Sequence, residues 1–573
     1  MFFITRLMLI TTYFSLYVNV ISAQEIYPKN YFRSPLDIPL FLSGNFGELR
    51  SNHFHAGLDI KTGGVEGKKI YAVADGYISR IKVSPWGYGK VLYLTHPNGY
   101  VTVYAHLKSF NDSIGQYVKK EQYKAELFEI ELIPDPGQLS VRKGDVIALS
   151  GNTGGSGGPH LHFEIRDEKS EKALNPFLFG FDVNDNVKPI ISEIILYPLD
   201  EKSFVNNSNK PKRLKLTGSL GNYKLIQPVS VHGKIGFGIN TYDLHNGVHN
   251  KVGVYTIELK VNGIRKYFHK MDHFSFDHSR CLNSHTDYVI YRKSSDWFQK
   301  LFPAQNNQLT IYQDLVDRGV LIFEKDTSHL IEYLVSDYKG NVSHVSFTLQ
   351  SKSKGLPFDA DKKSAKDCSF FKCEASNEFK NDQVSLNFPE GIFYEDLNFE
   401  FYSTQALKES ISPVFHIHNQ FVPVHSPYTL SIRIDSLPVN LRRKALVVNF
   451  DEKRGRIPIG GDLRDNWLTV NPKVLGAFTV MLDTVPPHIT PLSILKNNPG
   501  LKEIKIKISD HLSGIKSYRA SIDGKWILME YEPKQSLIFH LLEKELSPGK
   551  HVFHLEVKDS RGNIAEYSSE FIK

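Results

Sequence analysis

The stretch Gly151-Asn-Thr-Gly-Gly-Ser-Gly-Gly-Pro-His-Leu-His-Phe-Glu164 runs a glycine-rich loop into a short apolar segment. Read as a strand, that segment puts His160 and His162 on one face, because residues i and i+2 project to the same side. Upstream, His55-Ala-Gly-Leu-Asp59 supplies another imidazole and a carboxylate, and Tyr104-Ala-His106-Leu107 supplies a further imidazole. Gly57 lets the backbone between His55 and Asp59 bend so that both side chains converge. Between these segments Ile70-Tyr-Ala-Val-Ala74 meets the turn Asp75-Gly76, and Val91-Leu-Tyr-Leu-Thr95 leads through Pro97-Asn98-Gly99 to Tyr100-Val-Thr-Val-Tyr104. Asp-Gly and Asn-Gly between β-branched and aromatic runs are hairpin signals. The region is therefore expected to be an antiparallel β-structure.

Residues 109–140 interrupt that pattern. Tyr123, Leu127 and Ile130 recur at helical spacing, which predicts a short helix within Tyr117–Glu131. The insertion is read either as a lid or substrate-side wall, or as a surface addition.

Two imidazoles and one carboxylate form a donor set that catalytic zinc uses, with the fourth position left for water or substrate. Zinc lowers the pKa of its bound water towards ~7 and polarises a carbonyl. No His-Glu-x-x-His occurs in the chain, so a helix-borne glutamate base of that kind is absent. His106 and His160 are the substitutes: one can accept the water proton, and either can stabilise an oxyanion or protonate the leaving amine.

The three segments His-x-Gly-x-Asp, Tyr-Ala-His-Leu and His-Leu-His-Phe-Glu, in this order, resemble the lysostaphin/LytM-type zinc endopeptidases over about residues 40–180. The resemblance implies that His55, Asp59 and His162 bind Zn2+ and that His106 and His160 are the catalytic histidines outside the ligand set. It implies a peptidoglycan hydrolase that cuts peptide cross-links. Some relatives of that type have lost ligands and act only as regulators, whereas all five positions are present here. Two alternatives follow: a non-enzymatic envelope scaffold or activator of another cell-wall hydrolase, and a zinc endopeptidase of extracellular proteins.

Several neighbours invite two readings each. Glu164 continues the face of His160 and His162 and is either an orienting partner of a histidine or an ordinary strand carboxylate. Arg50 is a candidate contact for a substrate carboxylate. His53 is read as a neighbour and not a ligand. The glycines of 151–158 are expected to keep the cleft rim open. Phe415-His416-Ile-His418 is also His-x-His on an apolar strand, but it lacks a glycine-rich approach and a nearby His-x-x-x-Asp, and is read as structural.

The remaining chain sets the frame. It has 573 residues, 41% of them hydrophobic and 12% aromatic, enough for several folded cores and unlike a disordered chain. Its formal charge of +7 is spread along the sequence, which excludes a nucleic-acid-binding patch as the organising feature. Arg6 followed by a largely apolar run from Leu7 to Ile21, ending at Val20-Ile-Ser-Ala23, reads as a secretory signal peptide, residues 1–23. The protein is thus expected to be exported, to the periplasm or outside the cell, with no membrane span after signal removal.

The predicted fold class is mainly β: an antiparallel peptidase domain of the lysostaphin/LytM type at 24–187, then C-terminal β-sandwich modules. Asn186-Val-Lys-Pro189 and Asp483-Thr-Val-Pro-Pro487 read as linkers. An immunoglobulin-like module is placed at 188–350, a polar linker at 351–369, a β-rich module at 370–482 and a second immunoglobulin-like module at 483–573. Val335-Ser-Asp-Tyr-Lys-Gly-Asn-Val342 and Val557-Lys-Asp-Ser-Arg-Gly-Asn-Ile564 form a weak internal repeat, read as the last hairpin of each sandwich. The expected partners are peptidoglycan peptides and, through the β-modules, envelope proteins. Of the three cysteines, Cys368 and Cys373 could pair and leave Cys281 over.

Overall fold

The computed structural model describes residues 27–219, 221–354, 369–435, 437–494, 501–542 and 546–572. The proposed leader, residues 1–23, and most of the 351–369 segment lie outside them. The chain is mainly β. No helix among the described residues is long and apolar enough to cross a membrane.

The N-terminal sheet runs Leu42–Gly44, Leu58–Lys61, His160–Asp167, Tyr100–Ala105, Lys90–Thr95, Gly76–Val83, Ile130–Leu132, every neighbour antiparallel. His160–Asp167 is central. Its odd positions Leu161, Phe163 and Ile165 are fully buried and join Leu58, Ile60 and Tyr104 in one core. Its even positions point to the opposite face, as the two-residue period of a strand requires. The hydrophobic alternation thereby fixes which face carries the histidines. A second sheet of Lys69–Tyr71, Val146–Ser150 and Leu107–Phe110 closes this unit.

The insertion differs from its sequence reading. Its helix spans Asp112–Ala125, not Tyr117–Glu131. Asn111 caps it by accepting a hydrogen bond from the Ile114 N–H, and Glu126 ends it in a left-handed conformation (φ 51°). The buried stripe is Ile114, Val118 and Gln122. Leu127 is exposed, and Ile130 belongs to a strand paired with Val83. The apparent period through Tyr123, Leu127 and Ile130 straddled a helix end. The helix meets the C-terminal module, where Tyr123 packs edge-on against Trp526 and Glu126 pairs with Arg519. That same module reaches the glycine-rich loop: Lys534 donates to the carbonyls of Asn152 and Ser156, and Glu530 pairs with Lys90.

Three further cores follow. One gathers residues between Ile191 and Leu349, one between Phe371 and Val480, one between Ile494 and Phe571. The second body is joined closely to the first. Its strand His273–Phe274 pairs with Ala173–Leu174 at the edge of the N-terminal sheet. Phe46, Phe54 and Ala173 also share an apolar cluster with Met271, Phe274 and Leu282.

The internal repeat occupies equivalent hairpin turns. Asn341 donates from its backbone and side chain to Asp337, and Asn563 does the same to Asp559. Each turn joins the last two long strands of its body. Cys281 and Cys373 are buried free thiols, and Cys368 lies outside the described residues.

Candidate metal centre

Three neighbouring strands assemble the site. His162 sits directly opposite Asp59 on one side and Ala105 on the other. Directly opposed residues share a face, so Asp59 and His162 meet without help from a loop, and His106 follows one residue after Ala105. His55 arrives on the segment leading into Leu58–Lys61. Gly57 is required there by close approach, not by an unusual bend: a Cβ at this position would lie 2.2 Å from the Phe163 carbonyl oxygen.

Three donor atoms converge. His55 Nε2 lies 3.0 Å from Asp59 Oδ1 and 3.0 Å from His162 Nδ1, and His162 Nδ1 lies 2.9 Å from Asp59 Oδ1. All three residues are buried. The remaining nitrogen of each imidazole is occupied: His55 Nδ1 lies 2.7 Å from the Asn45 carbonyl, and His162 Nε2 lies 2.8 Å from Glu164 Oε1. Such partners leave the other ring nitrogen to bear the lone pair, the arrangement found behind metal-bound imidazoles. Burial opposes a charged His162, and hydrogen bonds to Asp59 and Glu164 overcome it and raise its pKa. Two carboxylates thus favour positive charge at this point, whether a proton or a metal ion supplies it. His55, Asp59 and His162 therefore form a group able to hold a metal ion.

His106 and His160 flank this group, their ring centroids 4.8 Å apart. Each is anchored through Nδ1 to a carbonyl of the glycine-rich loop, His106 to Thr153 at 2.9 Å and His160 to Gly158 at 2.8 Å. Their Nε2 atoms remain for chemistry, that of His160 lying 3.3 Å from Asp59 Oδ1. His106 has a left-handed backbone (φ 59°), a costly conformation that clusters at functional sites. Burial, with His162 and His160 adding to it, lowers the His106 pKa to about 3. The loop thus does more than open the rim: it orients both flanking imidazoles. Gly154 in addition packs against the Gly87–Gly89 turn, where a Cβ would lie 2.3 Å from the Gly89 nitrogen.

Glu164 is the orienting residue and not an ordinary strand carboxylate. It is fully buried, accepts from His162 and from the Tyr88 hydroxyl through Oε1, and receives Arg166 on Oε2 at 2.7 Å. Burial opposes its charge, and Arg166, His162 and Tyr88 together pull its pKa down. Arg166 continues the i, i+2 series of this strand and was visible in the sequence on that ground. Tyr88 lies in a connecting turn, and no local signal marks it. Arg50 is held by Asp59 Oδ2 at 2.8 Å and Glu48 Oε1 at 2.9 Å, so its guanidinium braces the aspartate. His53 is exposed, with Nδ1 on the Ser51 carbonyl. His416 stacks on Tyr402, ring centroids 4.3 Å apart, away from any such cluster.

Residues 368–483 match the family model of the Zu5-like domain, and residues 53–129 and 135–176 match that of peptidase family M23. Relatives include an uncharacterized metalloprotease of Haemophilus influenzae, 32% identical over 158 residues, 26% of this chain and 28% of that protein. The peptidoglycan DD-endopeptidase ShyA of Vibrio cholerae is 30% identical over 154 residues, 25% of this chain and 30% of its own. The murein hydrolase activator EnvC of Escherichia coli is 33% identical over 116 residues, 20% of this chain and 21% of its own. The chain therefore spans less than a third of the length of these relatives. The matched residues hold His55, Asp59, His106, His160 and His162, and through them this chain carries a domain of peptidase family M23.

Proposed function

We propose that the protein is an exported zinc endopeptidase that hydrolyses peptide cross-links of bacterial peptidoglycan. The observation that carries this reading is the convergence of His55 Nε2, Asp59 Oδ1 and His162 Nδ1 within about hydrogen-bonding distance of one another, with His106 and His160 beside them. A peptidoglycan DD-endopeptidase among the relatives supports the substrate class. The donor set of two imidazoles and one carboxylate suits zinc, which when bound supplies a Lewis acid for the scissile carbonyl and acidifies a water.

The chain's own residues do the rest. Glu164 holds His162 in one tautomer, and the Asn45 carbonyl does the same for His55. Arg50 fixes Asp59 through the oxygen not directed at the histidines. The Thr153 and Gly158 carbonyls keep a proton on Nδ1 of His106 and His160. Nε2 of one can take the proton of the attacking water and, once protonated, pass it to the leaving amine, while the other can donate from Nε2 to the oxyanion when it carries a second proton. Incubating the purified protein with cross-linked muropeptides, with and without chelator, tests this. Mass analysis should show new peptide ends only without chelator, and intact cross-links in both arms would overturn the reading.

A second reading is a non-catalytic activator of another cell-wall hydrolase. It is favoured by the murein hydrolase activator among the relatives and by the seating of Lys534 on the glycine-rich loop. It requires metal-loaded protein without cleavage, together with stimulation of a separate hydrolase.

A further inference from the structure

A second constellation of ligand-type side chains lies where the N-terminal unit meets the next β-body. Asp185 comes from the connecting segment, and Asp243 and His245 follow the long strand Val229–Tyr242. Asp337 comes from the first of the two repeated hairpin turns. One donor atom from each of Asp185, Asp243 and His245 lies within 4.8 Å of the others, and all three side chains are buried. His245 Nε2 is 4.0 Å from Asp185 Oδ2, a gap that one ion with bonds of ~2.1 Å spans. All four side chains line a small cavity of about 20 Å³, room for one water-sized occupant.

The independent sign of a ligand is Asp243. It is fully buried, and neither of its carboxylate oxygens has a hydrogen bond of ordinary geometry; the adjacent Leu244 N–H is the one backbone dipole that favours its charge. His245 Nδ1 is likewise unpartnered among the described residues. A carboxylate sealed from water without donors is expensive, and two more carboxylates beside it raise the cost.

The C-terminal module provides an internal control. Asp483 of its linker, Asp510 after the strand Glu503–Ser509 and Asp559 of the repeated turn occupy matching places and also cluster. There Asp510 Oδ1 is also without a partner, but Asp510 Oδ2 receives the Leu512 and Gly514 N–H groups, whereas both oxygens of Asp243 are left over. Asp483 receives the Val485 and Ser513 N–H groups, Lys444 donates to Asn563 of the turn, and the Arg561 guanidinium lies near Asp559 and Asp483. At the first junction Lys339 lines the cavity and favours the charge of Asp185, but its ammonium is paired with Asp182.

We infer that Asp185, Asp243 and His245, with Asp337 alongside, bind one divalent cation of the Mn2+ or Zn2+ class that pins the first β-body to the N-terminal unit. Carboxylates with one imidazole favour these borderline ions over Ca2+, which prefers an all-oxygen shell. The loop so pinned continues to Gly253, whose N–H and carbonyl both bond the Asn45 side chain, and the Asn45 carbonyl holds His55.

The test uses the full chain with His162→Ala, which removes the first centre from the count, with and without Asp243→Asn. Metal is measured after dialysis against Mn2+, Zn2+ or Ca2+ alone, and thermal unfolding is followed in each. His162→Ala should retain one Mn2+ or Zn2+ per chain and melt roughly 5 °C higher with it than in chelator. The double variant should retain none and show no metal-dependent shift. In chelator, Asp243→Asn should melt at or above its parent, since the amide removes a buried like charge, and this also shows that it folds. Equal metal content in the two chains, or a shift with Ca2+ alone, would overturn the assignment. His245→Gln, expected to lose the shift in the same way, serves as a second variant. None of these readouts depends on peptidase activity, so failure here leaves the proposed function standing and the converse.

Discussion

His160-Leu-His162 and His416-Ile-His418 are the same three-residue pattern, yet they end in different chemistry: the first lies within one strand, whereas the second leaves its strand at His418 (φ 51°). His162 lies on the central strand of its sheet, between Leu58–Lys61 and Tyr100–Ala105. Each neighbour delivers a functional residue at the level of His162: Asp59 opposite it, His106 one step beyond Ala105. The strand Val414–Ile417 also has two neighbours, but the residues opposite His416 are Tyr402 and Ala477. An aromatic ring and a methyl group give that imidazole a stacking partner and nothing to coordinate. Where the strand continues, the spacing puts both imidazoles on one face; the strands alongside decide what that face can do.

The sharpest way to break this contrast is to remove one imidazole from each strand. His162→Ala should lose the ion of the His55–Asp59–His162 centre, one ion fewer per chain than the parent, and abolish muropeptide cleavage, whereas His416→Ala should leave metal content and cleavage at parental levels. Metal analysis and product mass spectra on the two proteins check this. His106→Ala should reduce turnover by ~10²–10⁴-fold, the range for a general acid or base, with metal content unchanged. Loss of metal in that variant would place His106 among the ligands.

Glu164→Gln probes the support that the second motif lacks. The amide still reaches His162 but leaves Arg166 facing no charge, and metal affinity should weaken by ~10–100-fold, read by chelator competition. The smallest effect concerns a histidine outside both motifs. His96 is buried, with Nδ1 on the Asp75 carbonyl and Nε2 on Thr102, and burial lowers its pKa to about 4 from 6.5. The folded state then binds fewer protons than the unfolded chain between these values, so stability is full above pH 6.5 and falls as pH drops towards 4. Unfolding temperatures should decline across that window, less steeply in His96→Gln. The same slope in both proteins would remove His96 as the cause.

Much of the site was legible because strand chemistry is local. The i, i+2 rule placed His160 and His162 together, and extending it two and four residues reaches Glu164 and Arg166. The insertion helix was misplaced because a period was counted across Glu126, where a left-handed residue ends the helix. Arg50 was read only as a candidate substrate contact because nothing in the order of residues reveals its pairing with Asp59. The same holds for Tyr88, whose hydroxyl meets Glu164 across a distance of 76 residues.

Sequence alone determined the β class, the hairpins and which side chains share a strand face, since those follow from side-chain alternation and turn chemistry within a few residues. Tertiary structure decided which strand lies beside which. It thereby set the meeting of Asp59 with His162, the tautomers fixed by Asn45, Thr153, Gly158 and Glu164, and the buried carboxylates at the first junction. Those outcomes depend on register between segments distant in the chain, where one residue of slip would turn every side chain to the opposite face.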